Sequence, residues 1–339
     1  MSTHSLLGTL LVAACCVVGA YSADAAIVTS TDIVRPEGPR HYLMAVPDHI
    51  AKGKHPLIIL LHGHGGSAAQ VFGREHIAAP LSIWLDIADR EQVIVIAADG
   101  VKGSDGKAGW NDCRSDAASN PHTDDVGLIT AIMDKAIAER EVDPARIYVM
   151  GMSNGGIMAF RLATEIAPRL AGFATVGASM AAKGPCQSPK IPLSALIISG
   201  TADPLVPYTG GEIHFALSRG RGSVIGVEDS ASTWRKLDQL PATSTSVDIA
   251  HRDPADPTHA TRSLWGTDAH KLQVELLKID KGGHVEPSIV KRIQWGYILV
   301  FGAQNTDVEV AEEAWAFFSG KRAGLLPGGG DDSLGSLPR

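Results

Sequence analysis

Two spacings of apolar residues recur along the chain. Short unbroken apolar runs occupy 57–61 (LIILL) and 93–98, and 193–199 is apolar apart from Ser194 and Ser199, as expected of parallel strands buried on both faces. Ile147 and Val149, and the run 173–176, read the same way. Residues 26–34, 40–46, 247–250, 262–265 and 274–279 read as further strands, with a turn at Pro36-Glu37-Gly38-Pro39 between the first two. Other stretches carry helical spacing. Leu81, Trp84, Leu85 and Ala88 fall on one face of 77–90, and Val126, Ile129, Ile132, Met133 and Ile137 form a stripe after Asp124-Asp125. Acidic residues at that helix start suit capping and the helix dipole. A helix over 228–240 follows. Thr306-x-x-Glu309 reads as a capping box opening a last helix with Val310, Ala314, Trp315 and Phe318. Strands alternating with helices predict a mostly parallel central sheet flanked by helices.

No internal repeat or second-domain boundary is visible. One α/β domain is expected over 26–322, followed by a flexible tail over 323–339 that includes Gly328-Gly329-Gly330-Asp331-Asp332. The 339 residues are ample for one buried core, and the balance of 45% hydrophobic and 20% charged residues is ordinary for a globular chain. A formal net charge of −7 with no basic stripe argues against a nucleic-acid partner. The apolar run 6–20 is too short to span a membrane and is followed by Ala23-Asp24-Ala25. Residues 1–25 therefore read as a secretory signal peptide, extracellular or periplasmic, although the n-region has no Lys or Arg. A lipoprotein-like box ending at Cys15 is the lesser alternative. Of four cysteines, Cys113 and Cys186 remain past the leader. An even pair in an exported chain suggests a disulfide, against two buried thiols.

The candidate chemistry centres on RIYVMGMSNGGIMAF at 146–160. Its start reads as a strand end, its finish as a helix, and Gly151-Met152-Ser153-Asn154-Gly155 lies between them. A serine at such a turn, flanked by small residues, is a nucleophile elbow. Gly200-Thr201-Ala202-Asp203-Pro204 places an Asp just past a strand end, where it can orient a histidine or simply make an Asx-turn. Of 13 histidines, His284 in Lys281-Gly282-Gly283-His284 has the order and setting of a general base. The order Ser153, Asp203, His284 is that of an α/β-hydrolase. In HGHGGS at 62–67, the backbone N–H of His64 is expected to join that of Asn154 in an oxyanion hole. A tight turn, or metal binding by His62 and His64, competes, but no third ligand stands at a convincing spacing, so neither metal nor cofactor is expected. Within the long polar stretch 99–120, Trp110 is either a substrate wall or a packing plug.

GMSNGG at 151–156, LLHGHGGS at 60–67, ADG at 98–100, DDVG at 124–127, GTADPLVPYTGG at 200–211 and GGH at 282–284 resemble secreted esterases of the polyhydroxybutyrate-depolymerase and feruloyl-esterase type, family one carbohydrate esterases. The resemblance covers roughly 38–320. It implies an α/β-hydrolase fold with little or no lid, the same triad, and cleavage of feruloyl or acetyl esters on plant polysaccharide or of aliphatic polyester. The family's histidine is commonly followed by Thr-Trp-Pro; here Val285-Glu286-Pro287 follows, so Glu286 replaces an aromatic wall as a candidate substrate contact. A serine peptidase on the same scaffold and a non-catalytic binding protein are the rival classes. Oligomeric state is not legible.

Overall fold

The computed structural model describes residues 26–75, 77–186, 188–214 and 220–327. The expected leader at 1–25, Cys15 included, and the end of the tail from 328 onward lie outside the described residues. In chain order, the first half holds β1 (Ile27–Arg35), β2 (Gly38–Val46), β3 (His55–Leu61), α1 (Ala68–Val71), α2 (Trp84–Glu91), β4 (Ile94–Ala98), β5 (Val101–Lys102), β6 (Ala108–Gly109), α3 (Asp125–Glu139), β7 (Val142–Met152) and α4 (Asn154–Glu165). The second half holds β8 (Gly172–Val176), β9 (Ala195–Gly200), β10 (Gly211–Glu212), β11 (Ser223–Val224), α5 (Val227–Leu237), β12 (Thr245–Asp248), β13 (His259–Trp265), β14 (Val274–Asp280), α6 (Trp295–Phe301) and α7 (Val310–Phe318).

Among the described residues, ten strands form one sheet in the order β1-β2-β4-β3-β7-β8-β9-β14-β13-β12. The six from β4 to β14 run parallel, and an antiparallel pair closes each edge. The unbroken apolar runs are the central strands, and β3, β4, β8 and β9 are buried throughout. Because side chains alternate across a strand, one sequence feeds two cores. Leu57, Ile59 and Leu61 of β3 meet Leu128 and Ile132 of α3 and Met158 and Leu162 of α4. Ile58 and Leu60 face the other way, toward Trp84 and Ile87 of α2 and Ala314 and Phe318 of α7. The edge strand β12 is exposed along its length, consistent with the weak apolar pattern there.

Three expectations change. The helix over 77–90 begins instead as a 3₁₀ turn at Pro80–Ile83 before α2. Pro80 disfavours helical geometry in the residue before it and so sets the start. The capping box is absent: α7 has no side-chain cap bond. Thr306 bonds Asp256, its backbone N–H at 2.8 Å and Oγ1 at 2.7 Å from Oδ2, and Glu309 bonds Ser288, Ile289 and Val290. The acidic pair at 124–125 splits its roles. Asp124 caps α3 through the Gly127 N–H at 2.9 Å. Asp125 is buried, ion-pairs with Arg40 at 2.8 Å and accepts the Asn111 N–H at 2.7 Å, tethering the long polar stretch to the helix. Sequence reading found no α6, because its apolar residues show neither a helical nor a strand period.

Candidate active site

The chain enters β3, turns outward to β4 on one side of it, and returns to β7 on the other. The carboxyl ends of β3 and β7 therefore flank a topological switch point, the crevice where open α/β sheets bind ligands. Ser153 stands at the end of β7 with φ 54° and ψ −121°, in a region sparsely populated by any residue with a Cβ. Crowding explains the glycines around it. A Cβ on Gly151 would strike Gly155 O, and one on Gly155 would strike the carbonyl oxygens of Leu61 and His62. The elbow is fixed by the Ser153 N–H donating to Val176 O at 2.8 Å and by Ser153 O accepting from Ile157 N–H at 2.9 Å.

His284 Nε2 lies 2.9 Å from Ser153 Oγ, and its Nδ1 lies 2.7 Å from Asp203 Oδ2. A carboxylate partner makes Nδ1 the donor, so Nε2 is left to accept the Ser153 hydroxyl proton. Asp203 is held in turn: its Oδ1 accepts the N–H groups of Leu205 at 2.8 Å and Val206 at 2.9 Å. The Asx-turn and the histidine-orienting reading thus coexist, one on each oxygen. Behind His284, its N–H donates to Phe301 O at 2.6 Å and the Gly283 N–H to Ala303 O at 2.8 Å. Gly283 is needed because a Cβ there would meet Phe301 O.

The first N–H of α4, that of Asn154, has no acceptor within its own helix. The Asn154 side chain does work that sequence reading missed. Its Oδ1 accepts the Trp110 N–H at 2.8 Å, and its Nδ2 donates to Trp110 O at 3.2 Å and to Asp112 at 2.5 Å. Fully buried Asp112 also ion-pairs with Arg114 and accepts from Asn120. The signal for this network was available only as charged and amide residues flanking Cys113. Cys113 and Cys186 are joined by a disulfide, Cα to Cα 5.9 Å, which pins the same stretch.

The substrate-wall reading of Trp110 is corrected. Its side chain is 0% exposed, its Nε1–H donates to His62 O at 2.9 Å, and its ring packs on His62 with centroids 5.0 Å apart. It is a plug beneath the loop after β3. His62 is buried with both ring nitrogens engaged, Nδ1–H to Gly63 O at 2.7 Å and Nε2 accepting from Gly100 N–H at 2.9 Å. Burial holds its pKa below the usual value. His64 Nε2 pairs with Asp105 at 2.8 Å; burial lowers its pKa against the opposing pull of that carboxylate. Of the loop's N–H groups, those of Gly65 and Gly66 bond Ala108 O and Gly63 O.

A cavity of about 520 Å³ opens over Ser153 and His284. Val71, Leu81 and Met152 give it an aliphatic wall, Lys107 and Arg221 a basic one, and Tyr297 and Phe301 of α6 a third. Glu286 lines it too, two residues from the base. Burial pushes the Glu286 carboxyl above the usual range, opposed by its own backbone N–H and by His284. The geometry offers a nucleophile, a base and an orienting carboxylate at the floor of a mixed apolar and cationic cleft.

Comparison with known proteins gives relatives named as esterases. The chain is 29% identical over 241 residues to the "Putative esterase NocK" of Nocardia uniformis subsp. tsuyamanensis, covering 68% of this chain and 65% of that one. It is 29% identical over 186 residues to feruloyl esterase C of Emericella nidulans, covering 54% and 62%. It is 26% identical over 253 residues to feruloyl esterase B of Piromyces equi, covering 73% and 42%. In each pairing the match spans less than two thirds of the relative's own length. No family model matches. Among solved structures, an S-formylglutathione hydrolase from Agrobacterium tumefaciens superposes with a TM-score of 0.50 at 12% identity, covering 86% of this chain and 95% of that one. The fold is that of an α/β-hydrolase, and the resemblance to esterases of the feruloyl type read from the motifs is borne out.

Proposed function

We propose that the chain is a serine carboxylic-ester hydrolase, with Ser153 as nucleophile, His284 as general base and acid, and Asp203 as the group that orients and stabilises the imidazolium. The observation that carries this reading is the unbroken relay Asp203–His284–Ser153, at 2.7 and 2.9 Å, on a serine held at positive φ. His284 Nε2 takes the Ser153 proton as Oγ attacks the acyl carbon. The oxyanion is held by the N–H groups of Asn154 and His64, each donor worth about 3 kcal/mol of barrier. Collapse breaks the bond to the alcohol oxygen, which receives the proton from Nε2. Water then repeats the sequence on the acyl-enzyme and frees the acid and Ser153.

Feruloyl or acetyl esters on plant polysaccharide are the proposed substrates, supported by relatives named feruloyl esterases and a bifunctional acetylxylan esterase/xylanase and by a cleft with an aliphatic and an aromatic wall. Glu286 is proposed to touch the substrate where the family carries an aromatic ring. An exported location is supported by the apolar run at 6–20 and by the disulfide.

The test is a hydrolysis panel of p-nitrophenyl acetate and butyrate, methyl ferulate, feruloylated arabinoxylan and amorphous polyhydroxybutyrate, run with Ser153→Ala as control. Ferulate release abolished by Ser153→Ala, a loss of at least about 10³-fold in kcat, is the expected result. Polymer clearing without ferulate release transfers the chain to the polyester depolymerases. Silence of the folded protein on every ester rejects the esterase reading.

A further inference from the structure

Helix α6, WGYILVF, has no buried residue although six of its seven residues are apolar. Trp295 is 77% exposed and Leu299 76%, and Val300 and the preceding Ile289 and Val290 are exposed as well. The segment is nevertheless anchored from beneath. Glu309 accepts from Ser288 Oγ and the N–H groups of Ile289 and Val290. Gln304 accepts the Ile293 N–H and donates to Lys291 O and Glu286 O. The apolar face is therefore a built platform, and an exposed patch of this kind marks an interaction site. Its inner side continues into the cleft: Tyr297 and Phe301 line the cavity, and Phe301 O receives the backbone N–H of His284.

Chemistry narrows the partner. Lys291 and Arg292 are exposed at the entry to the helix, and among the described residues no carboxylate forms an ion pair with either. Two free cations beside Trp, Tyr, Leu, Ile and Val make the composition of an interfacial segment, aromatic at the headgroup level and basic toward anionic lipid. A neutral polymer surface would use the apolar residues and leave the cations idle. A second copy is disfavoured by charge: a two-fold interface over α6 would bring two Lys291–Arg292 pairs, like in sign, to the same face. The chain's net charge of −7 is screened beyond about 8 Å at physiological ionic strength, so charges beside the helix govern its approach to a surface.

We propose that α6, with Ile289, Val290, Lys291 and Arg292, is a seat for an anionic phospholipid surface, which places the mouth of the Ser153 cleft against that surface. The seat is independent of the esterase reading; only its consequence, hydrolysis at a lipid interface, rests on it. The test is flotation of the full chain with vesicles of phosphatidylcholine alone or mixed with phosphatidylglycerol. The wild type is expected to float with the mixed vesicles. Trp295→Ser/Leu299→Ser should weaken flotation at least about tenfold. Lys291→Gln/Arg292→Gln should weaken it about twenty-five-fold on mixed vesicles, at about fivefold per basic residue, and leave neutral vesicles unaffected. Circular dichroism and p-nitrophenyl acetate hydrolysis should be unchanged in both variants. If the apolar variant fails to fold, the charge variant still decides. Three results overturn the seat: no flotation of the wild type, equal flotation of wild type and variants, or a dimer or polyester-film adsorption that the variants abolish without any vesicle binding. Flotation as expected with no ester hydrolysis would sustain the seat and reject the proposed function.

Discussion

Around Ser153 the chemistry is set by how single residues are crowded. Gly151 and Gly155 are required by backbone approach, and the motif made them readable in sequence because only that turn demands glycine at both positions. His284 and Asp203 were readable from order and from their Gly- and Pro-flanked turns. Asp112 and the side chain of Asn154 were not: their value lies in one another's company, and contacts over 42 residues leave no local pattern. Trp110 was ambiguous for the same reason, since a loop tryptophan carries no mark of which way it faces. Glu286 yields a prediction. It lines the cleft two residues from His284, and burial raises its pKa against the opposing pull of His284. If it touches the substrate, Glu286→Gln should change KM for methyl ferulate several-fold more than kcat. An unchanged KM would separate Glu286 from the substrate.

Elements with one clean period were legible: the buried strands, α3 and α5. Those that failed lacked a period or met an unseen tertiary partner. α6 is apolar all round, and the polar residues ahead of α7 serve Asp256 and Ser288 in place of their own helix. At the C-terminal end of α5, Asp238 is buried, with Oδ1 accepting the Leu193 N–H at 3.0 Å and Oδ2 without a partner. Burial, opposed by that hydrogen bond, pushes its pKa up from 3.8 to about 8. A carboxyl whose folded pKa is raised binds its proton more tightly in the folded state. Its contribution is full below about 3.8 and is lost as pH climbs through about 8. Asp238→Asn keeps the Leu193 bond and removes the slope. Thermal melts should show the variant more stable than wild type at pH 9, by on the order of 2 kcal/mol, with the gain shrinking toward pH 4. A gain independent of pH would contradict this account.

Across the whole molecule, alternation of strand and helix made the α/β class readable, but strand order was not, because pairing between distant strands leaves no local trace. That order creates the crevice between β3 and β7 and brings residues 62, 153, 203 and 284 to the carboxyl ends of the central strands. The disulfide adds a covalent constraint on the stretch that carries Asp112 and Arg114, closing a separation of 73 residues. Chain-entropy reasoning gives such a loop about 4 kcal/mol, and native bridges typically deliver 2–5. Cys113→Ser/Cys186→Ser should therefore unfold at lower denaturant, by roughly 2–4 kcal/mol. It should also lose part of the proposed esterase activity, since Asp112 and Arg114 flank the bridge. Identical denaturation of oxidised and reduced protein would deny the bridge that role. The most direct test of the central claim is fluorophosphonate labelling of the folded chain followed by peptide mass spectrometry. The relay predicts a single adduct on the peptide bearing Ser153, absent in Ser153→Ala and formed at least about 10³-fold more slowly in His284→Ala. An adduct on another residue, or none on the folded protein, would contradict it.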